Sequence, residues 1–133
     1  MLNVIPQVLI SDDDLEFRET LRGILEPEGL QTHLAEDGCE AVEMVCRLNV
    51  HVVLLDIHMP KLSGLDVLRQ VREAGVPAPC ILMSAQLDDD LIRQANSLHA
   101  FSVLPKNAGL RQFKGIVAQA LQDFYGWQQE RSA

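Results

Sequence analysis

Four short apolar runs, separated by segments of helical periodicity, govern what this chain can fold into. Val8-Leu9-Ile10 leads into Asp12-Asp13-Asp14, and the run from Val50 to Leu55 ends at Asp56. Cys80-Ile81-Leu82-Met83 ends at Ser84, and Phe101-Ser102-Val103-Leu104 leads to Lys106. The run ending at Asp56 is almost continuously apolar, as a strand is when helices cover both faces of its sheet. Short strands alternating with helices predict a doubly wound parallel sheet. The carboxyl ends of such strands share one edge, where open α/β folds bind ligands. Carboxylates, a hydroxyl and an ammonium from distant parts of the chain then meet there. Crowded carboxylates repel unless a divalent cation joins them, and a hard cation such as Mg²⁺ prefers oxygen ligands.

Five strand–helix units can be read along the chain. Strand Val8 to Ser11 precedes a helix from about Asp14, with Phe17, Leu21, Ile24 and Leu25 on one face and Gly29 as its stop. Thr32 to Ala35 and a helix over about Gly38 to Leu48 form the second unit, and the third strand spans Val50 to Ile57. Ser63 can cap a third helix whose Gly64, Leu68 and Val71 face inward. Pro77 and Pro79 separate it from strand Cys80 to Ser84. A helix over about Asp88 to Leu98, a strand over about Ala100 to Leu104 and a helix from Leu110 through Phe124 complete the pattern. Without a long polar linker, the expectation is one domain over residues 1–133, with a core over about 7–125 and a tail from 126.

Composition narrows the functional classes. The net charge of −8 argues against direct binding to nucleic acid or an anionic membrane, which needs a basic surface. No apolar stretch approaches the roughly 20 residues of a membrane span. The amino end has no basic start followed by a long apolar segment, so a cytoplasmic protein is expected. Cys39, Cys46 and Cys80 form no C-x-x-C pair and no zinc set, and buried reduced thiols are the expectation.

Several segments resemble the response-regulator receiver domain of two-component signalling, in the family's order and spacing. They are Val8-Leu9-Ile10-Ser11-Asp12-Asp13-Asp14, Val52-Val53-Leu54-Leu55-Asp56-Ile57-His58-Met59-Pro60 and Lys61-Leu62-Ser63-Gly64-Leu65-Asp66-Val67-Leu68. Ile81-Leu82-Met83-Ser84-Ala85 and Leu104-Pro105-Lys106 complete the set, and the likeness covers nearly the whole chain. It implies a flavodoxin-like α/β fold: a five-stranded parallel sheet in the order 2-1-3-4-5, with five helices. By the same resemblance Asp56 is the phosphoacceptor, and Asp12, Asp13, Asp56 and the main-chain carbonyl of His58 bind Mg²⁺. Lys106 pairs with the phosphoryl group, and the Ser84 hydroxyl follows it. The partners implied are a sensor histidine kinase or phosphotransfer protein, and a downstream protein or output domain reached through the fourth helix, fifth strand and fifth helix. No enzymatic activity is implied beyond self-phosphorylation and autodephosphorylation. A last helix running through Trp127 leaves both an interdomain linker and a homodimer element open.

Taken singly, these residues have plainer readings. One of Asp12 to Asp14 can cap a helix, Ser84 can be an ordinary strand-end serine, and Lys106 a solvated lysine. Asp88-Asp89-Asp90 are expected to start the fourth helix and face solvent. His33, His51 and His99 are expected at the surface or packed, and Tyr125 and Trp127 are expected to cover the last helix. Three positions depart from the family pattern, and they concern output more than chemistry. Val103 replaces the usual aromatic residue, Asn107 the usual proline after the lysine, and Ser11 the usual apolar residue before the acids. His58 and Gln86 fill the variable positions that tune acyl-phosphate lifetime. The alternatives are a phosphorylation-independent receiver-like binding module and a cobalamin-binding domain. The latter uses Asp-x-His-x-x-Gly, and here Lys61 stands where that glycine is needed. An aspartate phosphatase would want an acid at His58, and a flavin phosphate would be repelled by Asp12 to Asp14.

Overall fold

The computed structural model describes residues 3–129. Strands β1 (Gln7–Ser11), β2 (Gln31–Ala35), β3 (Val52–Asp56), β4 (Cys80–Ser84) and β5 (Ser102–Pro105) alternate with helices α1 (Leu15–Leu25), α2 (Gly38–Arg47), α3 (Gly64–Glu73), α4 (Asp89–Ser97) and α5 (Leu110–Tyr125). All strand pairs are parallel, in the order β2-β1-β3-β4-β5. This is the flavodoxin-like order expected from the sequence.

Period-two alternation explains why the strands are apolar throughout. Val8 and Ile10, Val52 and Leu54, Ile81 and Met83 join the core beneath α1 and α5, with Leu21, Leu25, Phe113, Val117 and Leu121. Their neighbours Leu9, Val53, Leu55, Cys80 and Leu82 join the opposite core beneath α2 and α3, with Ala41, Val45, Leu68 and Val71. Both sheet faces are therefore covered, and an alternating polar strand has no place in the centre.

Helix starts follow the capping residues. Asp14, Asp37, Ser63 and Asp88 each accept a hydrogen bond from a main-chain N–H in the first turn of the helix they open. A 3₁₀ turn over Glu26–Glu28 extends α1 to Gly29, whose φ of 91° makes the left-handed stop.

Several expectations need correction. Cys80 is buried, but Cys39 and Cys46 are exposed, because α2 turns Gly38, Ala41 and Val45 inward and leaves both thiols outside that stripe. The last helix ends at Tyr125, with Gly126 left-handed, and does not run through Trp127. Phe124 shares the helical spacing of Phe113, Val117 and Leu121 yet is 51% exposed, and it leans on Phe101 in a T-shaped contact. The third and fifth strands each begin two residues later than expected, at Val52 and Ser102.

The last residue of α5 and the segment after it pack at the amino-terminal edge of the sheet. Tyr125 donates to the His51 carbonyl at 2.8 Å, and Trp127 joins the core beneath α1 and α5. Of the expected tail, residues 130–133 lie outside the described residues, as do residues 1 and 2. Among the described residues, no helix is long and apolar enough to cross a membrane.

Candidate functional site

The loop after β1 is built around Asp12. Its main-chain N–H donates to the Ala35 carbonyl at 3.1 Å, continuing the β1–β2 ladder. Its Oδ1 accepts from the Asp14 N–H at 2.9 Å, and its carbonyl accepts from the Arg18 guanidinium at 2.5 Å. Side chain and main chain are thus both fixed before any ligand arrives. Asp14 serves as the α1 cap, which leaves Asp12 and Asp13 unused by the helix.

Asp56, the last residue of β3, is 3% exposed. Its Oδ1 accepts from the His58 N–H at 3.1 Å. Gly64 opens α3 so close behind it that an added Cβ would lie 2.5 Å from the Asp56 carbonyl oxygen. Only a residue without a side chain lets α3 start there.

Lys106 follows β5 and is held by its own N–H, which donates to the Ser84 carbonyl at 2.8 Å. Its ammonium lies 2.7 Å from Asp12 Oδ2 and 3.4 Å from Asp56 Oδ2. Carboxylate oxygens of Asp12, Asp13 and Asp56 all come within 4.8 Å of one another. Residues from three strand ends therefore share one small volume at the carboxyl edge of the sheet.

The electrostatics are unbalanced. Burial pushes the Asp56 carboxyl up, and the Asp12 charge adds to this, against the opposing pull of the His58 N–H and Lys106. Burial pulls Lys106 down, but Asp12 and then Asp56 outweigh it and hold the ammonium above its ordinary value. One ammonium faces three acids. Asp12 Oδ2 is buried, and among the described residues the Lys106 ammonium at 2.7 Å is the contact that compensates its charge. Three convergent carboxylates facing a single ammonium keep residual negative charge and fit a hard divalent cation.

The other expected residues are placed differently. Ser84 is fully buried at the end of β4, and its hydroxyl is engaged in its own loop, donating to the Gln86 carbonyl at 2.8 Å and accepting from the Gln86 N–H at 3.1 Å. His58 meets Asp56 through its N–H, while its imidazole side is exposed. Ser11, the departure before the acids, is buried and donates to the Met59 sulfur at 3.0 Å, joining β1 to the loop after Asp56. Phe17, counted by its spacing as a core residue, also stands at the site, its ring centroid 4.6 Å from the Lys106 ammonium. Nothing in helical periodicity separates that position from an ordinary core phenylalanine.

Two other features compete poorly with this site. The carboxylates of Glu36, Asp37 and Glu40 also converge, but Asp37 caps α2 and pairs with Lys61 at 3.3 Å. A groove of about 780 Å³ lies between Asn3–Pro6, Pro27–Gly29 and Gly126–Gln129, at the opposite edge of the sheet.

Comparison with known proteins agrees with the geometry. The family model for the response regulator receiver domain matches residues 8–118. Response regulator MprA of Mycobacterium leprae (strain TN) is 42% identical over 80 residues, which is 60% of this chain and 35% of that protein. The MprA of Mycobacterium ulcerans (strain Agy99) is 40% identical over 80 residues, 60% of this chain and 34% of that protein. The match thus spans about a third of the length of these curated relatives. The Francisella response regulator 1452 receiver domain superposes with a TM-score of 0.84 at 25% identity, covering 89% of this chain and 98% of that one. A CheY-like response regulator receiver domain protein of Methanospirillum hungatei JF-1 shares the fold, with a TM-score of 0.86 at 19% identity over 90% of this chain and 96% of that one. Strand order, acidic cluster and family match converge, and the chain belongs to the response regulator receiver domain family of two-component signalling.

Proposed function

We propose that this receiver is a cytoplasmic switch that accepts a phosphoryl group on Asp56 from a sensor histidine kinase or phosphotransfer protein. The observation that carries the reading is the Lys106 ammonium set between Asp12 and Asp56, with Asp13 in reach, at the carboxyl edge of the sheet. A carboxylate oxygen of Asp56 forms the new P–O bond as the donor's bond to phosphorus breaks. The leaving group departs with the electron pair and takes its proton from solvent. Asp56 is a weak nucleophile, so the gain comes from position: β3, Gly64 and the His58 N–H hold its carboxylate. Lys106 moves its charge from the acids to the incoming oxygens. Asp12, Asp13 and Asp56, with the His58 carbonyl, would hold Mg²⁺. Bound there, the ion neutralises the acids and the phosphoryl charge.

Ser84 must exchange its Gln86 partners for a phosphoryl oxygen, which makes the loop after β4 the first mobile link to output. The altered loop biases the surface of α4, β5 and α5 toward a partner or output domain, as a shift between existing states. Val103 is only half-buried and carries no ring, so this chain transmits the change without the aromatic rotamer seen elsewhere in the family.

Incubation with Mg²⁺ and acetyl phosphate, followed by intact mass measurement, tests the reading. One phosphoryl group is expected on the wild type and none on Asp56→Asn. Neither acetyl phosphate nor a panel of phosphohistidine donors labelling the wild type, with Mg²⁺ binding confirmed, would favour a phosphorylation-independent binding module.

A further inference from the structure

The Lys106 ammonium has two kinds of neighbour. Asp12 and Asp56 hold it on one side, and the ring of Phe17 lies against it on another, 4.6 Å from nitrogen to centroid. We infer that Phe17 is a positioning residue for Lys106, its aromatic face holding the ammonium over the phosphoacceptor while the carboxylates exchange partners. The inference rests on the phosphoryl-pairing role proposed for Lys106.

A lysine stem has four flexible carbons, and this side chain is still 19% exposed. When a phosphoryl group and a metal ion draw off the two carboxylates, a free ammonium can swing into water. An aromatic face attracts a cation from any direction above the ring and occupies none of its three N–H donors. It also adds no net negative charge to a site that must admit a phosphoryl anion. A carboxylate in the same place would hold the lysine equally well and repel the substrate.

The ring is itself constrained. Phe113 is fully buried in the core and meets Phe17 in a T-shaped contact, with centroids 6.0 Å apart and planes at 77°. The Phe17 N–H donates to the Asp14 cap at 3.4 Å, so α1 and the acidic loop set the position of the ring together. A line of contact therefore runs from the α5 core through Phe113 and Phe17 to the reacting charges.

The test replaces the face without removing the bulk. Phe17→Leu is expected to lower kcat/KM for acetyl phosphate about tenfold, the scale of a partly desolvated cation–π contact. Mg²⁺ affinity should be unchanged, and Phe17→Trp should restore the rate. Fluorinated phenylalanines at this position keep the shape while draining the face of negative potential, so the rate should fall step by step with fluorine number. A full rate in Phe17→Leu overturns the inference, as does a loss in Phe17→Leu that fluorination does not reproduce, since that pattern is packing alone. Nuclear magnetic resonance gives a readout independent of phosphorylation. The Lys106 ε-methylene protons should be shifted upfield by the ring in the wild type and revert in Phe17→Leu. A wild type that takes no phosphoryl group overturns the functional reading, while identical lysine shifts in the two proteins overturn the role of Phe17.

Discussion

Asp56 and His51 are both buried titratable residues, and their environments act on charge in instructive ways. Ionised Asp56 is disfavoured by burial and by Asp12, so at neutral pH its charge costs the fold stability in the absence of metal. Asp56→Asn is therefore expected to raise the Tm of chelator-treated protein while reducing the further rise that Mg²⁺ gives the wild type. Thermal melts with and without Mg²⁺ check both arms. His51 lies far from the acids, and burial lowers its pKa from 6.5. Its Nδ1 accepts from the Gln7 N–H at 2.9 Å, a bond that the protonated ring cannot make, and the Tyr125 ring packs against it. The folded state binds this proton more weakly than the unfolded chain. Its contribution is present above pH 6.5 and is lost as pH falls through the lowered value. Chemical denaturation of wild type and His51→Gln between pH 7.5 and 5, as about half-unit steps, should show a steeper loss of stability in the wild type. Parallel curves would reject the assignment.

At the scale of elements, the helices are unequally anchored. Leu65, Val67, Leu68 and Val71 of α3 are buried along with Gly64, and α5 buries Phe113, Val117, Ala120 and Leu121. In α4 only Ala95 is fully buried, with Leu91 packed partly against the core. Little apolar area is lost when α4 opens, so its amides should exchange with deuterium faster than those of α3 and α5. Equal protection across the three helices would contradict this. The same weak anchoring suits α4 to the proposed output role, because a small change at Ser84 can repack it at little cost. Its start was legible in Asp88-Asp89-Asp90, where Asp88 caps the helix and Leu91 donates to it at 2.8 Å. The end of α5 was less legible. Helical spacing continues to Phe124, and only the left-handed Gly126 and the packing of Trp127 show where the helix stops.

Across the whole molecule, one sheet separates two cores that share every central strand. Leu54 points to the α1 and α5 side and Leu55 to the α2 and α3 side, and neither is exposed. Damage on one side should therefore be felt by both. Leu54→Ala is expected to cost about 3 kcal/mol, in the range of buried leucine truncations, and to lower a single unfolding transition without splitting it. Two resolved transitions in calorimetry would mean that the layers unfold separately.

The sequence by itself determined the alternation of strands and helices, the parallel sheet and the strand ends at Asp12, Asp56, Ser84 and Lys106. Apolar runs, periodicity and cap residues are local signals, and a parallel sheet aligns strand ends at one edge whatever the loops do. Only the tertiary structure decided what those residues touch. It set Lys106 between Asp12 and Asp56, turned the Ser84 hydroxyl to Gln86, exposed Cys39 and Cys46, and stood Phe17 against the ammonium. Each of these depends on the rotation of one helix or the path of one loop. Apart from Ser84 and Gln86, which are joined by the path of their own loop, the partners lie tens of residues apart along the chain, and local patterns carry no record of such contacts.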